Sequence, residues 1–268
     1  MPYLKVNGTK LYYEERGSGP ETIVFFHSLL FDSSMFTRQF EAFASQYRCV
    51  AFDFRGHGRS ASPAGSYDIE TITVDTLSVI EQLNCAPCHF LGFSTGGFVG
   101  LRLAIRQPEL LKSLILVDTS ADPEPEENLP KYRLLAFVAR WAGLRLVANQ
   151  VMPLMFSEGF LSDPTRSAVR NEMREVLLKN DRIGVTNAVK GVITREGVFD
   201  LIDQVHIPTL ILVGENDAGT TPDKSERMHA HIPNSTLVKI PRSGHMTPVE
   251  EPEAVNKALA AFLEVCTP

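Results

Sequence analysis

Ser94 stands at the centre of Gly92-Phe93-Ser94-Thr95-Gly96-Gly97, a G-x-S-x-G spacing between an apolar run that ends at Leu91 and a helix-compatible run that starts at Phe98. These residue types fit a strand, a sharp turn and a helix, with the serine at the apex and glycines where any Cβ would meet neighbouring chain. A serine hydroxyl is a weak nucleophile at neutral pH, so it needs a base within hydrogen-bond reach, and the base needs an acid to hold its tautomer. His245 lies in Pro241-Arg242-Ser243-Gly244-His245-Met246, directly after a late strand-like run. Asp217 follows Leu210 to Val213 through Gly214-Glu215-Asn216. Singly, such a histidine reads as a solvated side chain and such an aspartate as a turn former. Together, in the order Ser94, Asp217, His245 and each at a strand end, they read as a constellation for acyl transfer. Asp118 is a second candidate for the acid, and His57 for the base. The Arg55-Gly56-His57-Gly58 setting reads better as a loop locked by Arg55 and the glycines, and His89, His206, His229 and His231 read as structural or surface residues.

Acyl transfer also needs donors for the developing oxyanion, each worth ~3 kcal/mol. The Thr95 amide, next to the serine, is one candidate. The Leu29 amide, in the turn His27-Ser28-Leu29 after an earlier strand, is the other, against a competing reading as a plain exit turn. For the substrate pocket, Phe137, Trp141, Met152, Met155 and Phe156 are expected to supply apolar lining, although such residues at helical spacing also serve internal packing. Arg133, Arg140 and Arg145 could meet a carboxylate or be solvated surface.

The elements that must position these residues follow from hydrophobic pattern. Asn7-Gly8 between Leu4 to Val6 and Leu11 to Glu14 is a hairpin signal. Thr22 to Phe26, Cys49 to Phe52, His89 to Leu91, Leu114 to Val117, Thr209 to Val213 and Thr236 to Ile240 are short, continuously apolar runs, as expected for strands buried on both faces of a parallel sheet. Helical patterns span 35–45, 67–83, 98–106, 224–231 and 252–263. From 121 to about 196 the alternation breaks, and helical stretches are predicted over 132–148, 164–179 and 183–193. The layout predicts an α/β fold: a mostly parallel, doubly wound sheet whose core (1–120 and 196–268) carries a helical cap (121–195) over the carboxyl ends of its strands, where such folds bind ligands.

Composition excludes several classes. The 268 residues are 44% apolar, enough for a substantial core. With 26 basic and 32 acidic residues the net charge is −6, and no basic run appears, which argues against nucleic acid and anionic membrane surfaces as partners. The N-terminus lacks the apolar stretch of a secretory signal and no run reaches the ~18 apolar residues of a membrane span, so a cytoplasmic protein is expected. Cys85-Ala86-Pro87-Cys88 lacks a second pair to complete a zinc site and reads as ordinary reduced thiols. No metal or organic cofactor is expected, and a monomer or a homodimer are both open.

The His27-Ser28-Leu29 turn, the Asp53-Phe54-Arg55-Gly56-His57-Gly58-Arg59-Ser60 loop, the Gly92 to Gly97 turn, the Gly214 to Asp217 loop and the Ser243-Gly244-His245 loop together resemble the α/β-hydrolase family along nearly the whole chain. Family members often have His-Gly where this chain has His27-Ser28. The Ser28-Leu29 pair resembles the 3-oxoadipate enol-lactonase branch. The resemblance implies a helical-capped hydrolase fold and a small-molecule ester or lactone as substrate. A serine at the turn differs from the aspartate of the similar haloalkane dehalogenases and epoxide hydrolases. Carbon–carbon bond hydrolysis, cofactor-free haloperoxidase or perhydrolase chemistry, and a non-catalytic ligand receptor are the other roles that the likeness allows.

Overall fold

The expected hairpin and six apolar runs form one eight-stranded sheet in the computed structural model, which describes residues 2–266. The strands are β1 (Tyr3–Val6), β2 (Thr9–Arg16), β3 (Thr22–Phe26), β4 (Arg48–Phe52), β5 (Cys88–Phe93), β6 (Leu111–Val117), β7 (Thr209–Gly214) and β8 (Ser235–Ile240). Their order is β1-β2-β4-β3-β5-β6-β7-β8. The β1–β2 and β2–β4 pairs are antiparallel and the remainder parallel. Asn7 and Gly8, at φ of 43° and 74°, supply the two left-handed positions that a tight hairpin turn requires.

Side chains alternate between the two faces of the sheet, and each face has its own apolar core. Val24, Phe26, Val50, Phe52, Phe90 and Leu116 pack on one side with α2 (Ile69–Gln82) and α3 (Thr95–Arg106). Phe25, Ala51, Leu91, Phe93 and Val117 pack on the other with α1 (Thr37–Phe43) and the long C-terminal helix (Pro252–Cys266). The sheet is therefore doubly wound, as the runs of β-branched and aromatic residues predict.

Between β6 and β7 the described residues form helices and no strand: α4 (Leu129–Ala142), α5 (Ala148–Met155), α6 (Glu158–Ser162), α7 (Ser167–Lys179) and α8 (Arg182–Ile193). The single helix expected over 132–148 breaks at Gly143, whose φ of 103° is not helical, and residues 148–155 turn as a separate helix. Ala139, Leu144, Val147, Val151, Leu177 and Val185 give this segment a small core of its own. After β7 come α9 (Pro222–His231), the short α10 (Thr247–Glu250) and α11, the C-terminal helix. No helix among the described residues is long and apolar enough to cross a membrane.

Candidate active site

The loops that leave β3, β5, β6, β7 and β8 at their carboxyl ends meet on one edge of the sheet. β5 ends at Phe93 and α3 begins at Thr95, so Ser94 alone makes the turn, at φ 51° and ψ −105°. A non-glycine residue in that region is strained by roughly 1–3 kcal/mol. The surroundings hold it: the Ser94 amide donates to the Val117 carbonyl at 2.8 Å, and Thr119 Oγ1 donates to the Ser94 carbonyl at 2.7 Å. A Cβ on Gly92 would strike the Gly96 backbone, and one on Gly96 the Phe26 carbonyl. Both glycines are thus demanded by close packing around the turn.

Ser94 Oγ lies 2.9 Å from His245 Nε2, and His245 Nδ1 lies 2.8 Å from Asp217 Oδ2. The carboxylate accepts, so Nδ1 carries the proton and Nε2 is free to accept from the serine hydroxyl. Asp217 is itself fixed, Oδ1 by the amides of Gly219 and Thr220 at 2.7 and 2.9 Å, and Oδ2 by Thr220 Oγ1 at 2.8 Å. Nothing in the spacing pointed to Gly219 and Thr220; only an Asx-type turn after Asp217 could have marked them. Burial opposes charge on both members of the pair. The charge of Asp217 and its hydrogen bond nevertheless hold the His245 imidazole above its ordinary pKa, and His245 with Thr220 hold Asp217 below the usual carboxylate value.

Asp118 and His57 do other work than the competing acid and base they could have been. Asp118 is fully buried at φ 44°, and its Oδ1 accepts from the Gly214 amide at 2.9 Å while Oδ2 accepts from the Thr247 amide and hydroxyl at 3.1 and 2.6 Å. One carboxyl group thereby ties the Asp217 loop to the His245 loop. Complete burial and the neighbouring charge of Asp217 push this carboxyl well above its ordinary range. His57 Nε2 accepts from the Leu30 amide at 3.1 Å, and His27 Nε2 accepts from the Phe54 amide at 3.1 Å. Desolvation lowers both imidazoles, which suits neutral acceptors. Arg55 pairs with Asp75 through two bonds of 2.6 and 2.7 Å, and so locks the loop that carries His57.

The turn after β3 places Leu29 beside Ser94 and Thr95, and the amides of Leu29 and Thr95 donate no hydrogen bond among the described residues. Leu30, at φ 72°, has its amide occupied by His57, so it is not available beside the unengaged Leu29 amide.

These residues open into a cavity of about 1090 Å³, counted with its mouth, whose far wall is built by the helical segment through Tyr132, Leu135, Ala139, Val151, Met155 and Val192. Of the apolar residues expected there, only Met155 lines it. Met152 and Phe156 are instead buried in the apolar core that includes Phe25 and Phe93, Phe156 edge-on to Phe31 with ring centroids 6.2 Å apart. Phe137 and Trp141 point outward, 62% and 69% exposed. The reason is helical phase: α4 turns Tyr132, Leu135, Ala136 and Ala139 inward, and residues 134, 137 and 141 fall on the opposite side. That i, i+3, i+4, i+7 set was present in the sequence, but small alanines made it inconspicuous beside the aromatics. Arg133 and Arg145 are exposed, Arg140 donates to Thr186 and Asn187, and none of the three lines the cavity. Cys49, Cys85 and Cys88 are buried, and desolvation pushes the Cys49 and Cys85 thiols up to about 12 and about 11.

The family described as alpha/beta hydrolase fold matches residues 21–252. The chain is 27% identical over 242 residues to 3-oxoadipate enol-lactonase 2 of Acinetobacter baylyi, covering 90% of this chain and 88% of that protein. Among solved structures it is similar to a thermophilic esterase from Thermogutta terrifontis, with a TM-score of 0.93, 29% identity and full coverage of both chains. The enol-lactonase from Burkholderia xenovorans superposes with a TM-score of 0.91 at 29% identity, over 98% of this chain and all of that one.

Proposed function

The chain belongs to the alpha/beta hydrolase fold family, and from that premise we propose that it hydrolyses carboxylic esters or lactones through a serine acyl-enzyme. In this reading His245 Nε2 takes the Ser94 proton as Oγ attacks the substrate carbonyl, and Asp217 stabilises the imidazolium that forms. The amides of Leu29 and Thr95 hold the oxyanion, each worth about 3 kcal/mol in the transition state. The bond to the leaving alcohol breaks as His245 returns the proton to it. Water, deprotonated by the same nitrogen, then releases the acid. With a lactone the alcohol stays tethered, and one hydroxy acid results.

The observation that carries this reading is the hydrogen-bonded chain Asp217–His245–Ser94, at 2.8 and 2.9 Å, ending at the wall of an apolar cavity beside two unengaged amides. The likeness to esterases and enol-lactonases supports it from outside. Residues 121–195 act here as the cap that shapes the acyl or ring site. Steady-state hydrolysis of p-nitrophenyl acetate, p-nitrophenyl butyrate and simple lactones, compared between the intact protein and Ser94→Ala, tests the proposal. Turnover that the substitution lowers by about 10³-fold or more is the expected result. Turnover indifferent to Ser94 would remove the serine mechanism, and none from a folded protein that binds such ligands would replace the enzyme by a receptor.

A further inference from the structure

The cavity carries its own statement about which acyl groups it accepts. Besides His245, its lining holds two charged side chains, Glu124 and Arg195. They face each other: Arg195 Nη1 donates to Glu124 Oε2 at 2.9 Å, and the two side chains are 3% and 12% exposed. The remaining contacts anchor both. Arg195 also donates to the carbonyls of Asp122 and Val192 at 3.1 and 3.0 Å, and its guanidinium lies 4.1 Å from the centroid of the Phe98 ring. The second oxygen of Glu124 accepts from Asn128 Nδ2 at 2.9 Å. The one arginine of the lining is therefore neutralised within the wall, and the lining offers no other cation except a protonated His245. A carboxylate entering this space would shed water without gaining a free counter-ion, because Glu124 already holds the guanidinium of Arg195.

We infer that Glu124, by pairing with Arg195, makes the cavity selective for uncharged acyl or lactone substrates and excludes those with a free carboxylate, such as the lactone of a dicarboxylic acid. This rests on the serine-hydrolase reading of Ser94. It assigns Glu124 as a specificity-determining residue, well removed in sequence from the catalytic loops.

The test uses three esters of equal acyl length: 4-nitrophenyl hexanoate, mono-4-nitrophenyl adipate, whose chain ends in a carboxylate, and the methyl-capped form of that adipate. In the intact protein kcat/KM for the two uncharged esters should exceed that for the anion by about thirtyfold or more, since desolvation of an unpaired carboxylate opposes binding. Glu124→Gln keeps one acceptor oxygen for Arg195, presents its NH2 to Asn128, whose amide can turn its oxygen to meet it, and removes the negative charge. It should narrow the uncharged-to-anionic ratio by about tenfold, chiefly through KM of the adipate. A general loss of activity or stability cancels in the ratio. Comparable turnover of all three esters by the intact protein would overturn the inference, as would a ratio unmoved in Glu124→Gln. Ser94-independent turnover, or no turnover of any of the three, would instead remove the serine reading on which it stands.

Discussion

The pH response of the proposed catalysis belongs to one imidazole. Burial favours neutral His245, but the charge and hydrogen bond of Asp217 at 2.8 Å, with smaller help from Asp118 and Glu250, hold the pKa above the ordinary histidine value. The base must be unprotonated, so kcat/KM should fall as pH drops through that raised pKa, with the acidic limb above about 6.5. Asp217→Asn removes the charge that raises it. A pH–rate profile of that variant should show the limb moved to lower pH and kcat reduced by about 10²–10⁴-fold. Both His245 and Asp217 were legible in the sequence because each follows an apolar strand through a glycine-containing loop. Asp118 was legible only as a rival acid, since its task depends on Gly214 and Thr247, which meet across the sheet edge. Asp118→Ala would orphan the buried Gly214 amide and the Thr247 amide and hydroxyl. Urea unfolding should report a loss of about 2–4 kcal/mol, with kcat lowered as the two loops part.

At the scale of elements, α4 divides pocket from surface by its rotation. Its inward face carries Ala136 and Ala139, and its outward face Leu134, Phe137 and Trp141, all more than 60% exposed. Trp141→Ala should therefore change stability by no more than about 0.5 kcal/mol and leave kcat/KM for p-nitrophenyl butyrate unchanged. Ala139→Leu adds bulk on the opposite face. The expected result is a shortened range of accepted acyl chains, read as a steeper fall of kcat/KM from butyrate to hexanoate. Helix existence was visible in the sequence for α4, α7 and α8. The break at Gly143 and the short α6 were not, because an isolated glycine in a helical pattern can be tolerated inside the helix or end it.

Across the whole molecule, Glu250 joins the helical segment to the loop of the base. Its Oε1 accepts from the Gly244 and Met246 amides at 3.0 and 3.3 Å, on either side of His245, and Oε2 accepts from the amide and hydroxyl of Ser157 at 3.1 and 2.6 Å. Desolvation raises this carboxyl, and the four donors oppose the rise without cancelling it. A raised folded pKa means that the folded state holds this proton to higher pH than the unfolded chain. Stability from Glu250 is then present below the unfolded carboxylate pKa and is lost as pH rises through the folded value. Glu250→Gln has one acceptor oxygen for four donors. It should lower kcat/KM for butyrate by about tenfold, because the amides flanking His245 and the start of α6 lose their common anchor.

The sequence by itself determined the alternation of strands and helices on either side of the helical segment, the glycine-bounded turn at Ser94 and the candidates Asp217 and His245. These rest on local constraints: period-two or continuous burial, positive φ, and loop composition after a strand. The tertiary structure alone decided which helix face lines the cavity, that Asp118 and Glu250 clasp the loops, and that Glu124 neutralises Arg195. Each of these depends on side chains from distant segments meeting at a common depth, where burial multiplies the worth of a hydrogen bond or a charge, and no local pattern encodes that meeting.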